Sequence, residues 1–194
     1  NINQPPVLAA IGAQSITEGG LLTVNVSASD GDGFIPVLTT SALPSGALFT
    51  DNGNGTGVLT WTPGFLAAGP YSVTFRAADD SAAVDSEVVS ITVTDAGNQP
   101  PVLAVIANQT TTENILLSFG VSATDPESTP AITTSVLPVG ASFVDIGNGT
   151  GTFSWTPGFT QSGVHNVTFY ATDASLGVDS QSMTITVGEA GNQL

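Results

Sequence analysis

Leu21-Leu22-Thr23-Val24-Asn25-Val26-Ser27-Ala28 alternates apolar and polar residues from Leu22 onward. A period of two is the mark of a half-buried β-strand, because successive side chains point to opposite faces. Tyr71-Ser72-Val73-Thr74-Phe75-Arg76-Ala77 repeats the pattern, and so does Val89-Ser90-Ile91-Thr92-Val93. Shorter strands are expected at 7–11, 36–41, 47–50 and 57–62. Between them stand turn signals, above all Asp51-Asn52-Gly53-Asn54-Gly55, where Asn-Gly readily takes the positive φ angles of a tight hairpin. Pro44 and Pro63 fall at strand ends, where no ladder donor is missed. No amphipathic helix longer than a turn or two is legible. About seven strands in some ninety residues is the pattern of a Greek-key sandwich.

The pattern then occurs again. Asn3-Gln4-Pro5-Pro6-Val7-Leu8-Ala9 returns as Asn98-Gln99-Pro100-Pro101-Val102-Leu103-Ala104, and Trp61-Thr62-Pro63-Gly64-Phe65 returns as Trp155-Thr156-Pro157-Gly158-Phe159. More than half of the aligned positions are identical, and one residue is lost between Asp125 and Pro130, where a loop can absorb it. The period is too long for a solenoid and long enough for a domain with its own core. The expected fold is therefore all-β: two tandem seven-stranded Greek-key sandwiches, one over 1–95 and one over 96–194. Ala190-Gly191-Asn192-Gln193 opens a third copy, with Leu194 where Pro is due. Leu194 is read as a cloning remnant and the chain as a piece of a longer array.

Composition narrows the function. The chain of 194 residues carries 16 acidic residues and one basic one, Arg76, for a formal net charge of −15. The imbalance comes from missing Lys and Arg rather than from a crowd of acids. Nothing is present to neutralise phosphates, which excludes nucleic acid, and the same lack argues against anionic membrane. No apolar run is long enough for a transmembrane helix. The absence of cysteine rules out disulfides, and the absence of Lys rules out Lys–Asn isopeptide cross-links. One His, His165, cannot build a catalytic triad or a zinc site, and Tyr71 occupies its place in the first copy. Trp61 and Trp155 are expected as core anchors between the sheets rather than sugar platforms. The chain is therefore expected not to be an enzyme.

The acids gather at strand ends. The first copy has Glu18, Asp30-Gly31-Asp32, Asp79-Asp80 and Asp95; the second has Glu113, Asp125-Pro126-Glu127, Asp173 and Glu189. Alternate loops of a Greek-key sandwich fall at the same end. Asp30, Asp32 and Asp79 are thus expected at one pole of the first copy, and Asp125, Glu127 and Asp173 at the matching pole of the second. A multivalent cation is the natural partner of such a surface.

These stretches resemble the cadherin superfamily, in particular its bacterial, dystroglycan-type and Ig-like relatives. Val26-Ser27-Ala28-Ser29-Asp30-Gly31-Asp32 is similar to the cadherin stretch ending in Asp-Ala-Asp, Ala77-Ala78-Asp79-Asp80 to its Ala-x-Asp-Gly stretch, and Asp95-Ala96-Gly97-Asn98-Gln99-Pro100 to its linker. Leu43-Pro44-Ser45-Gly46 through Phe65 is more like the bacterial Ig repeats. The resemblance implies Ca²⁺ at the junction, held by Glu18, Asp95, Asn98, Gln99, Asp125, Glu127 and Asp173. An equivalent set, Asn3, Asp30, Asp32 and Asp79, stands at the head of the first copy. No carboxylate occupies Pro63-Gly64-Phe65, where a cadherin has Asp-x-Glu, and Gly97 replaces a linker Asn. One or two ions per junction are expected, at a Kd of about 10⁻⁴ M. The implied function is an extracellular or cell-surface spacer, stalk or adhesin segment whose partners are its neighbouring repeats and calcium. The alternatives are a module binding surface glycans or other cells, and accessory domains of a secreted enzyme.

Overall fold

The computed structural model describes residues 2–191, so Asn192 and Gln193, read above as part of the opening of a third copy, and Leu194, read as a cloning remnant, lie outside the described residues. The chain divides into two compact units between Gly97 and Asn98. Among the described residues every regular element is a strand.

The first unit contains β1 (Val7–Leu8), β2 (Gln14–Thr17), β3 (Leu22–Ser29), β4 (Val37–Thr40), β5 (Leu48–Asp51), β6 (Thr56–Trp61), β7 (Gly69–Ala78) and β8 (Val84–Thr94). They form two four-stranded sheets ordered β1-β3-β6-β5 and β2-β8-β7-β4. The second unit repeats this with β9 (Val102–Leu103), β10 (Gln109–Thr112), β11 (Leu117–Thr124), β12 (Ala131–Thr134), β13 (Ser142–Asp145), β14 (Thr150–Trp155), β15 (Gly163–Thr172) and β16 (Val178–Gly188). Its sheets are ordered β9-β11-β14-β13 and β10-β16-β15-β12. Both units are immunoglobulin-like sandwiches.

The structure departs from the expected single strand over 7–11. The strand stops at Leu8, and the chain re-forms one further on at Gln14, in the other sheet. Gly12, at φ 75°, makes the change of direction between them. β1 pairs antiparallel with β3, whereas β2 pairs parallel with β8. Gln14-Ser15-Ile16-Thr17 carries too little apolar character to be read as a strand from sequence. The last strand is longer than expected, because Asp85 and Glu87 blur its alternation while its backbone stays paired with β7.

The alternating positions fill the space between the sheets. Val24, Val26, Leu59, Trp61, Val73, Phe75, Val89 and Ile91 form the first core. In the second core Phe143, Phe153 and Phe169 pack edge-on or nearly so, with Phe119 stacked on Phe153 at 4.9 Å. Trp61 and Trp155 are buried, at 3% and 1% exposure. Each indole N–H reaches a carbonyl, that of Ser45 at 3.0 Å and that of Val139 at 3.2 Å. The turn after Leu43-Pro44, closed by Ala47 N–H on the Pro44 carbonyl, presents the Ser45 carbonyl. The Leu-Pro motif is therefore a cradle for the tryptophan.

The hairpin tips sit close to their sheets. Gly55 has φ 77°, and a Cβ there would meet the Ala28 carbonyl oxygen at 2.8 Å. Gly149 has the same relation to Ala123. The approach is held by a backbone bond in each unit, Ala28 N–H on the Gly55 carbonyl and Ala123 N–H on the Gly149 carbonyl.

Truncating a buried tryptophan loses its transfer free energy and leaves a cavity. Trp61→Ala is expected to lower stability by about 3–5 kcal/mol, read from the shift in the urea unfolding midpoint.

Candidate metal centre

The pole of the first unit is built from Asn3-Gln4, the loop after β3 and the loop between β7 and β8. Asp79 follows the last residue of β7 and is 8% exposed. One of its carboxylate oxygens accepts Ser81 N–H at 2.9 Å and Ala83 N–H at 2.8 Å, closing its own loop. The other accepts the Asn3 side-chain amide at 2.8 Å. Next to it, Gln4 N–H donates to Asp32 at 2.7 Å. Asp30 accepts Asp32 N–H at 2.7 Å on Oδ1, while its Oδ2 is shielded from solvent without a hydrogen-bond donor.

The second unit repeats each contact. Asp173, 5% exposed, accepts Ser175 N–H, Gly177 N–H and the Asn98 amide at 2.7–2.8 Å. Gln99 N–H donates to Glu127 at 2.6 Å. Asp125 Oδ1 accepts the N–H groups of Glu127 and Ser128, and its Oδ2 is again shielded and without a donor. At Gly177 a Cβ would press on the side chains of Asp173 and Asn98, whereas the first copy accommodates Ala83 at the equivalent position.

The expected residues thus come together at each pole as Asn3, Asp30, Asp32 and Asp79, and as Asn98, Gln99, Asp125, Glu127 and Asp173. Glu18 and Asp95 belong to the preceding unit. Asp95 is exposed and accepts Gly97 N–H at 2.7 Å in a local turn. Glu18 is 5% exposed, with one carboxylate oxygen on Ala68 N–H and the other on Ala96 N–H. Glu113 makes the equivalent contacts with Ser162 and Ala190.

Calcium takes six to eight oxygens. Among the described residues, no three His, Cys, Asp or Glu side chains gather as a metal cage. Most of the carboxylate oxygens named here accept N–H groups. Among the described residues, the shielded oxygen of Asp30 or Asp125 is the buried one left without a donor at each pole. The arrangement chemically present is a set of carboxylates accepting backbone and amide hydrogens.

That use extends beyond the residues picked out by sequence. Leu8 N–H donates to Asp85 and Leu103 N–H to Asp179, each at 2.8 Å, fixing β1 and β9. Leu38 N–H donates to Asp51 and Ile132 N–H to Asp145, tying β4 to β5 and β12 to β13. Ile11 N–H donates to Glu87, and in the second copy Ile106 N–H donates to Gln181 Oε1. The exchange of Glu for Gln keeps the acceptor oxygen and discards the charge. The recurrence of Asp51, Asp85 and their partners in both copies was the available signal. His165 holds the Gln161 carbonyl at 2.9 Å and packs edge-on against Trp155, as Tyr71 does with Ala67 and Trp61.

Residues 3–92 match the family model for the Bacterial Ig domain, and residues 100–188 match that for the Putative Ig domain. The chain is therefore a tandem of two Ig-like repeats. No curated protein matches it. Similar solved structures include an endo-fucoidan hydrolase, MfFcnA4, from glycoside hydrolase family 107, at 20% identity and a TM-score of 0.49. They also include the titin domains z1z2 in complex with telethonin, at 12% identity and a TM-score of 0.45. The alignment with the hydrolase covers 96% of this chain and 29% of that one; with titin the shares are 98% and 100%.

The side-chain amides of Asn3 and Asn98 lower the carboxyl pKa of Asp79 and Asp173 below 3.8; partial burial opposes this, and the loop N–H groups add to it. The unfolded chain protonates these groups near 3.8, the folded chain only at lower pH. Their stabilisation is full above the unfolded value and is lost as pH falls through the folded one. Asp79→Asn with Asp173→Asn is expected to flatten the drop in thermal midpoint below pH 4 that the unsubstituted chain shows.

Proposed function

We propose that this chain is a non-catalytic spacer segment of a longer extracellular or surface protein. The observation that carries the reading is the repetition of one complete, self-contained Ig-like sandwich with the same pole contacts in each copy. The shallow depression beside β1 is lined by Val7, Leu8, Ala9, Ser27, Ala28 and Ser29 and offers no titratable group. No helix among the described residues is long and apolar enough to cross a membrane. The large aromatic side chains are mostly inside, which favours a spacer over a glycan-binding face. An accessory role beside a secreted catalytic domain is the alternative, and sequencing the flanking gene distinguishes the two.

The unengaged oxygens of Asp30 and Asp125 favour a second layer to this reading, in which calcium stiffens the spacer. Asp125 and Asn98 would hold the ion at the head of the second repeat, with backbone carbonyls and water completing the shell. Bound ion would stabilise the ordered state by mass action.

Calorimetric titration with Ca²⁺ is expected to give heat at a Kd of about 10⁻⁴ M that Asp125→Ala abolishes. Small-angle scattering of the two-repeat chain is expected to show a longer, stiffer particle with calcium than with chelator. An absence of heat ends the calcium reading and leaves the spacer reading standing. A catalytic activity of the isolated chain ends the latter.

A further inference from the structure

The chain contains three Asn–Gly pairs, Asn52-Gly53, Asn54-Gly55 and Asn148-Gly149; every other asparagine is followed by Gln, Val or Ile. A glycine nitrogen is the least hindered backbone nucleophile open to the side-chain amide before it, because no Cβ stands beside it. All three asparagines are exposed, at the tip of the β5–β6 or the β13–β14 hairpin.

The tips treat the pairs differently. Asn54 Oδ1 accepts Thr56 N–H at 3.1 Å and the Thr56 hydroxyl at 2.6 Å. Asn148 Oδ1 accepts the same two groups of Thr150, again at 3.1 and 2.6 Å. The N–H donor fixes which end of each amide is the oxygen. Asn52 donates its own amide to Thr56 Oγ1 at 2.9 Å, which leaves that hydroxyl's hydrogen for Asn54. Among the described residues no acceptor meets Gly55 N–H or Gly149 N–H. Gly53 N–H, by contrast, is held by Asp51 Oδ1 at 3.0 Å, and no donor among the described residues reaches Asn52 Oδ1.

Donors aimed at a carbonyl oxygen stabilise the negative charge that grows there when a nucleophile adds to its carbon. We propose that Asn54 and Asn148 are self-modification sites, converted through a cyclic imide to aspartyl and isoaspartyl residues, with Thr56 and Thr150 as the groups that promote the conversion. Gly55 nitrogen gives its proton to solvent base and bonds to Asn54 Cγ, and the carbonyl electron pair moves onto Oδ1 between its two donors. The pair returns, the Cγ–Nδ2 bond breaks, and Nδ2 takes a proton from solvent and leaves as ammonia. Water then adds to one of the two ring carbonyls. Opening at Cγ gives aspartate, and opening at the main-chain carbon gives isoaspartate. The sum is one water consumed and one ammonia released. Burial of Gly55 and Gly149 opposes loss of the first proton, and the donors on Oδ1 have to outweigh it.

The conversion has a structural consequence. Isoaspartate adds one carbon to the main chain just before Gly55. The Gly55 carbonyl accepts Ala28 N–H at 2.8 Å, and a Cβ on Gly55 would already meet the Ala28 carbonyl oxygen at 2.8 Å. The added carbon therefore parts the hairpin tip from β3. Each conversion also adds a negative charge to a chain that carries −15.

The test is peptic mapping by mass spectrometry of the folded 194-residue chain held at mildly alkaline pH, with isoaspartate read by enzymatic carboxyl methylation. Asn54 and Asn148 are expected to convert several-fold faster than Asn52. In urea, where the turns are lost, the three are expected to converge. Thr56→Val with Thr150→Val keeps the N–H and removes the hydroxyl, and is expected to slow both sites about ten-fold in the folded chain. Thr56→Ser with Thr150→Ser keeps the hydroxyl and is expected to keep the rate. Asn52 converting as fast as the other two in the folded chain overturns the proposal, and that comparison needs no variant. A valine variant as fast as the unsubstituted chain, or faster, overturns it as well. So does a folded chain that stays unconverted while the chain in urea converts.

Discussion

The backbone N–H donating to a carboxylate is the interaction on which this protein most depends outside its cores. Hydrogen bonds to charged groups are worth about 1.5–3 kcal/mol, roughly twice the neutral kind. Nearly all of the acidic side chains take part, with Asp80 and Glu189 accepting serine hydroxyls instead. The four buried charged groups, Glu18, Asp79, Glu113 and Asp173, sit where loops meet strand ends. A chain with neither lysine nor cysteine and a single arginine has few other ways to fix a loop. The acids behind the net charge of −15 thus serve as fastenings, and the scarcity of basic residues leaves their charge unbalanced. The method suits a fold in which connections run between strands and, among the described residues, no helix absorbs the stray N–H groups.

Much of the architecture was legible because it rests on periodicity. Val24 and Val26, Val73 and Phe75, Val89 and Ile91 point inward for the reason that made them visible, a period of two. The tryptophans were legible as anchors. β2 was not, since Gln14-Ser15-Ile16-Thr17 owes its place to a neighbouring backbone rather than to its own side chains. The same holds for β10. A strand held by pairing alone leaves little trace in hydrophobicity.

The poles were only half legible. Sequence placed Asn3, Asp30, Asp32 and Asp79 together, and Asn98, Gln99, Asp125, Glu127 and Asp173 together. It gave no view of which hydrogens the carboxylates face, because backbone N–H groups are the same at every residue. That is why the acids were read as oxygens awaiting a cation, whereas most of them already hold a proton donor. Glu87 and Gln181 make the point in one position: the two copies differ in charge and agree in acceptor.

Arg76 lies within β7, exposed at its side chain, with its backbone between β4 and β8. It is the chain's only basic side chain other than histidine. An enzyme that cuts after Lys or Arg needs the peptide drawn out into its cleft, and this bond is locked in the middle of a sheet. Digestion by such an enzyme would have to wait for the first repeat to open, so the rate of cutting at Arg76 would follow its opening equilibrium. For a repeat exposed to extracellular proteases, tryptic resistance would come from composition and register together.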